Sequence, residues 1–190
     1  TADFSDDKQV IAVDLSNNSL YLVFSRFFNA GGTQVLLSRS VNQGQTWSAP
    51  VALSPDPAFS TEGFVWPSSL SVARNGDLFV AYHSQPGFVG ENPDGVSGQT
   101  FVVRLNAALS VLSKTNAFLP GESDVTFNVQ TSPRTYPGTQ FWTQGSAQPW
   151  VMADPSRAGQ VYVVTTDDPN NNTAGTPVLS NIVFARSTDN

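Results

Sequence analysis

A chain of 190 residues, 39% of them hydrophobic and with 13 Phe and 4 Trp, has ample material for one packed core. A net charge of −6 and a pI of about 4.4 would repel a phosphate backbone, which excludes nucleic acid as a partner. The absence of cysteine excludes disulfides, thiol chemistry and thiolate metal sites, and no apolar run approaches the roughly 18 residues that a membrane-spanning helix needs.

The first eight residues, Thr1 to Lys8, show neither a basic n-region nor an apolar h-region, so any signal peptide is expected to be already gone. Gln9 to Asp14 is an apolar run that ends in the turn Leu15-Ser16-Asn17-Asn18. Ser19 to Arg26 follows as a second strand and Gln34 to Arg39 as a third. Ser40-Val41-Asn42-Gln43-Gly44-Gln45-Thr46-Trp47 then separates it from a fourth, Trp47 to Leu53. Two strand-prone runs joined by a short polar stretch with one glycine read as a β-hairpin. Gly44 can adopt positive φ without a Cβ penalty, and Asn42 can bond the backbone of its own turn. Trp47 is expected to open the fourth strand as a buried apolar anchor.

The order then repeats. A second unit runs Ser68 to Ala73, turn Arg74-Asn75-Gly76, Asp77 to His83, Thr100 to Leu105 and Leu109 to Leu119. A third runs Pro149 to Asp154, turn 155–159, Gln160 to Thr166 and Asn181 to Arg186, and it lacks an outer strand. Asp14, Arg74 and Asp154 fall at one register position, and Arg39, Arg104 and Arg186 at another. No stretch carries a 3.6-residue period. Four-stranded antiparallel units in series are the material of a β-propeller, with a β-sandwich the runner-up. The inner strands are expected to be covered on both faces. The expected units are 9–53, 64–119 and a partial 149–190, in a single portion of a larger propeller.

Ser40, Asn42, Gly44, Thr46 and Trp47 resemble the Asp-box, Ser/Thr-x-Asp-x-Gly-x-Thr-Trp, of the sialidase-like (BNR-repeat) β-propellers, with Asn42 in place of Asp. Ser187-Thr188-Asp189 resembles the first half of a second box, and Ser40 and Ser187 stand two to three blades apart at about 45 residues per blade. The box has a structural role in that family. The resemblance implies exo-sialidase as the first activity to weigh: three arginines holding a carboxylate, a Tyr nucleophile assisted by Glu, and an Asp acid/base. Arg39, Arg104 and Arg186 share a repeat position on the box side, and Arg74 and Arg157 sit in turns. Only Arg26 and Arg134 remain for the other side, and two arginines make no triad. No Phe/Tyr-Arg-Ile-Pro motif is present; Arg134-Thr135-Tyr136-Pro137 echoes it faintly.

Connection lengths point to a working end. The 1–2 and 3–4 turns are short, whereas 54–67, 84–99, 120–148 and 167–180 are long and lie at the opposite end of the meander. Arg26, Glu62, Trp66, Arg134, Tyr136 and Trp142 are the ligand-binding candidates there, each weighed against a packing or solvated role. Asp167-Asp168-Pro169-Asn170 is rich in oxygen ligands but lacks EF-hand spacing. A solvated turn is the preferred reading, so Asp167 and Asp168 are the only Ca²⁺ candidates and no cofactor is expected. His83, the single histidine, has no partner at a recognisable spacing and reads as structural. Few lysines and the triplets Asn17-Asn18-Ser19 and Asn171-Asn172-Thr173 lean toward an extracellular or periplasmic protein. The leading expectation is a non-catalytic module that binds glycan or protein. The alternatives are a sialidase-type glycoside hydrolase completed by residues outside this chain, and a structural subunit whose open edge pairs with another chain.

Overall fold

The computed structural model describes residues 3–57, 62–85, 88–89, 92–93, 99–118, 149–167 and 181–188. Described residues form strands and turns only, in three antiparallel sheets and one small hairpin. The first sheet holds β1 (Phe4–Asp14), β2 (Ser19–Phe28), β3 (Thr33–Ser40) and β4 (Val51–Ala52), in that order. The second holds β5 (Phe64–Val72), β6 (Leu78–Gln85), β9 (Gln99–Leu105) and β10 (Val111–Asn116), again in chain order across the sheet. Between β6 and β9, β7 (Phe88–Val89) pairs with β8 (Asn92–Pro93), so the connection expected to be irregular carries a hairpin of its own. The third sheet holds β11 (Trp150–Ala153), β12 (Val161–Asp167) and β13 (Asn181–Ser187), three strands among the described residues.

β5 packs against both β1 and β11, so the first strands of the three sheets stand side by side while the later strands fan outward. That is the radial arrangement of a partial β-propeller, and it excludes the sandwich. The seams follow from period-2 alternation along the middle sheet. Leu78, Val80 and Tyr82 of β6, with Val103 and Leu105 of β9, pack on Tyr21, Val23, Val35 and Leu37 of the first sheet. The intervening Phe79 and Ala81, with Val102, pack on Val151, Ala153, Val161 and Val163 of the third. Each fully buried Val or Leu contributes roughly 1.5–3 kcal/mol.

Hydroxyl groups fasten both seams. Thr33 Oγ1 donates to the Val65 carbonyl at 3.1 Å and accepts from the Val65 amide at 2.6 Å, and Ser25 donates to the same carbonyl at 3.0 Å. Ser69 Oγ donates to the Pro149 carbonyl at 3.2 Å and accepts from the Val151 amide, while Ser71 accepts from the Ala153 amide at 3.0 Å. Backbone groups of an inner strand that find no strand partner are thus satisfied by the neighbouring sheet.

Three expectations need correction. Trp47 neither opens β4 nor is buried: it is 38% exposed. Ser48 donates its amide to Arg39 and accepts from the Arg39 amide, and pairing resumes only at Val51, after Pro50, which has no N–H to give. Trp66 and Pro67 lie inside β5 and not in the connection before it, with a register shift directly after Pro67 where the proline interrupts the ladder. The inner strands are not covered on both faces throughout. Ile11 and Val13 of β1, and Trp150 and Met152 of β11, are exposed, because among the described residues only the middle sheet has a neighbouring sheet on each side.

The hairpin at 40–48 closes as its composition predicts. Asn42 Oδ1 accepts from the Thr46 amide at 2.9 Å and from Ser40 Oγ at 3.0 Å, and Asn42 Nδ2 donates to Thr46 Oγ1 at 2.8 Å. Ser40 Oγ also accepts from the Gly44 amide, and Gly44 has φ +86°. Asn42→Ala is expected to cost about 1–2 kcal/mol in denaturant unfolding, while Asn42→Asp, which keeps the acceptor, should stay within about 0.5 kcal/mol. Equal losses in both would mean that the side-chain carbonyl does not hold the turn. Ser69→Ala leaves the buried Val151 amide unpaired and should cost about 1–3 kcal/mol; an unchanged midpoint would remove the clasp from the second seam.

Candidate functional site

The two ends of the sheets differ. At the short-turn end several turn side chains bond within their own loops, while the Tyr21 hydroxyl beside them is buried without a hydrogen-bond partner. Asp14 accepts from the Ser16 amide and hydroxyl and from Asn17 Nδ2. Burial alone would raise its carboxyl, but these bonds and the Arg39 charge outweigh it and hold the group below its ordinary 3.8. Asp154 repeats the arrangement with Ser156 and Arg157, and the bonds from Ser156 likewise hold it low. Asn75 and Asn106 close the turns of the middle sheet.

The arginine repeat belongs to this end. Arg39, Arg104 and Arg186 stand across from Tyr21, Phe79 and Tyr162, the same aromatic position in each sheet. Arg39 donates to Ser19 and to the Ala107 carbonyl, which ties the first sheet to the second, and Arg104 pairs with Asp77. These two guanidinium groups are committed to structure.

At the long-loop end, charged and aromatic side chains gather. Arg26 makes a bidentate pair with Asp6, Nε to Oδ1 at 2.8 Å and Nη2 to Oδ2 at 2.9 Å, and its guanidinium lies 3.8 Å from the Phe4 ring centroid. Trp66 meets Phe27 edge to face at 5.3 Å, and Lys8 Nζ stands 5.2 Å from the indole centroid. Glu62 accepts from the Tyr82 hydroxyl at 2.7 Å and pairs with Lys114, whose ammonium also lies 4.5 Å from the Phe101 ring. Three of the sequence candidates, Arg26, Glu62 and Trp66, therefore do fall at one end. Each carries an intramolecular partner. Arg134, Tyr136, Trp142, Asp168 and Asp189 lie outside the described residues, as does the side chain of Asp167.

Asp6, Lys8 and Lys114 were missed by sequence reasoning. Asp6 and Lys8 lie in a polar stretch with no strand signature, yet β1 begins at Phe4 and places Asp6 across from Arg26. The ladder shifts between Asp7 and Val10, where Lys8 takes φ +60°. An Asp–Arg pairing test across the hairpin would have found Asp6.

The Tyr82–Glu62 pair has the residue types of an assisted phenol nucleophile but the opposite setting. Tyr82 is fully buried, and burial first, then the bond to and charge of Glu62, push its phenol far above its ordinary 10. An activated phenolate would need the reverse. His83 is buried with no hydrogen-bond partner on either ring nitrogen, and burial pushes it down to about 4 from 6.5. Among the described residues no group of three or more His, Asp or Glu side chains is placed to hold a metal, and no helix is long and apolar enough to cross a membrane.

No family model matches the chain, and no curated protein matches it by sequence. Solved structures do. One is a Hadza microbial sialidase, Hz136, with a TM-score of 0.55 and 13% identity over 96% of this chain and 32% of that one. Another is a protein of unknown function from Dyadobacter fermentans DSM 18053, with a TM-score of 0.58 and 14% identity over 98% of this chain and 52% of that one. The chain thus spans about a third and about half of these two proteins. At such identities the likeness establishes the fold alone: an all-β partial propeller.

Proposed function

We propose that this chain is part of an extracellular or periplasmic Asp-box propeller module that binds glycan or protein through its long-loop end and carries no complete catalytic set of its own. The observation that supports this best is the contrast between the two ends. The side chains of Asp14, Asn42, Asn75 and Asp154 in the short turns bond within their own loops. The opposite end collects Lys8, Arg26, Trp66, Glu62 and Lys114, side chains whose aromatic faces and ion pairs suit a polar ligand. Arg134, Tyr136 and Trp142 join them in this reading, and Ca²⁺ at Asp167 and Asp168 is not required by it. A net charge of −6 disfavours nucleic acid, and no membrane insertion is part of this reading.

A sialidase completed by residues outside this chain is the second reading, and the likeness to Hz136 is what favours it. Against it stand the buried, proton-retaining Tyr82 and the commitment of Arg39 and Arg104 to the short-turn end. Trp66→Ala and Lys8→Glu should each lower binding on an array of sialylated and neutral oligosaccharides by tenfold or more, with Asn42→Asp unchanged. A fluorogenic sialoside should not turn over. Binding indifferent to Trp66 and Lys8 would overturn the choice of face, and turnover would overturn the non-catalytic reading.

A structural role is favoured by a separate observation. Trp150, Met152, Ile182 and Phe184 leave the outer face of the third sheet apolar and open, and Ile11 and Val13 do the same for the first. Such a face resembles the covered seams and suits a further β-sheet. Sedimentation of this chain should show concentration-dependent association; a strictly monomeric species would count against that role.

A further inference from the structure

His83 is the only histidine, and it sits where a positive charge has nowhere to go. On β6 it shares a face with Phe79 and Ala81, both of which pack in the seam with β11 and β12. It is 4% exposed, and neither ring nitrogen has a hydrogen-bond partner. Across the seam, Thr165 continues the face of Val161 and Val163 on β12, and its hydroxyl is also buried without a partner. Two unsatisfied polar side chains therefore belong to facing surfaces, each toward the long-loop end of its strand. Elsewhere the same seam is apolar and clasped by Ser69 and Ser71.

We propose that the joint between the second and third sheets is an acid-labile seam, opened when His83 takes up a proton. Among the described side chains, nothing on the facing elements offers a countercharge. β5 presents Ser69 and Ser71, with Trp66 across from His83 in the ladder and its ring against Phe27 and Lys8 of the first sheet; β9 presents Thr100 and Val102 near the imidazole, with Arg104 at the far end, where Asp77 holds it. β11 presents Val151 and Ala153, and β12 presents Val161, Val163 and Thr165. Glu62 and Lys114 engage Tyr82, which lies on the other face of β6. An imidazolium in the closed seam would be buried and unpaired, whereas opening the seam lets water solvate it.

The direction follows from linkage. The closed seam holds His83 near 4 and the opened one releases it toward 6.5, so the open form binds more protons between those values. Closure is complete above about 6.5 and weakens as pH falls toward 4, by about 20-fold between pH 7 and 5. The carboxyls of Asp14 and Asp154 are held below 3.8 and respond only under more acidic conditions. The first seam has no buried histidine, so the third sheet should detach from a second sheet that keeps its hold on the first.

Hydrogen exchange of the intact chain tests this, with rates corrected for the intrinsic pH dependence. Amides of β11 and β12 should lose protection about 20-fold between pH 7 and 5 relative to those of β2 and β3, and His83→Phe should abolish the difference. Protection that stays level, or that falls equally in His83→Phe, would overturn the proposal. Should the variant fail to fold, the single imidazole resonance of the wild type decides. A midpoint displaced below 6.5 and moving in step with β11–β12 exchange supports the seam, and one at 6.5 with the third sheet still protected overturns it.

Discussion

The structure depends on one constraint: the middle sheet must bury both of its faces. A pleated strand sends successive side chains to opposite sides, so β6 serves two seams at once, Leu78, Val80 and Tyr82 toward the first sheet and Phe79 and Ala81 toward the third. Larger side chains populate the first seam and smaller ones the second. The hydroxyl clasps then set how closely neighbouring sheets approach, since Thr33 and Ser69 each exchange bonds with both a backbone donor and a backbone acceptor of the next inner strand. Apolar packing provides the attraction and the hydroxyls provide the register.

The two ends of the sheets hold their polar groups differently. Asp, Asn and Ser side chains close the short turns from within, and the recurrent arginine opposite an aromatic ring stiffens the same end. The opposite end is spared these duties. Its charged groups pair across the sheet or between strands of one blade, Arg26 with Asp6 and Lys114 with Glu62, and these pairs remain partly exposed. The buried polar groups lie between these extremes. Tyr82 found a partner in Glu62 and remains a neutral core residue, whereas His83 found none.

Strand identity, turn positions and the three-fold repetition of one unit were legible in the residues themselves. Alternating apolar runs, Asn and Gly in the turns, and arginines at matching registers are local signals, and local chemistry decides them. The closure of the 40–48 hairpin by Asn42 and Gly44 belongs here, because every atom it uses lies within a few residues. What only the tertiary structure decided are contacts between sheets and across shifted ladders: Asp6 as the partner of Arg26, Trp66 within β5 beneath Lys8, Trp47 left on the surface, and both sides of only one sheet covered. The ladder shifts at Asp7–Val10 and Pro67–Ser69 change which side chains face one another, and sequence spacing carries no record of such a shift until the strands are paired.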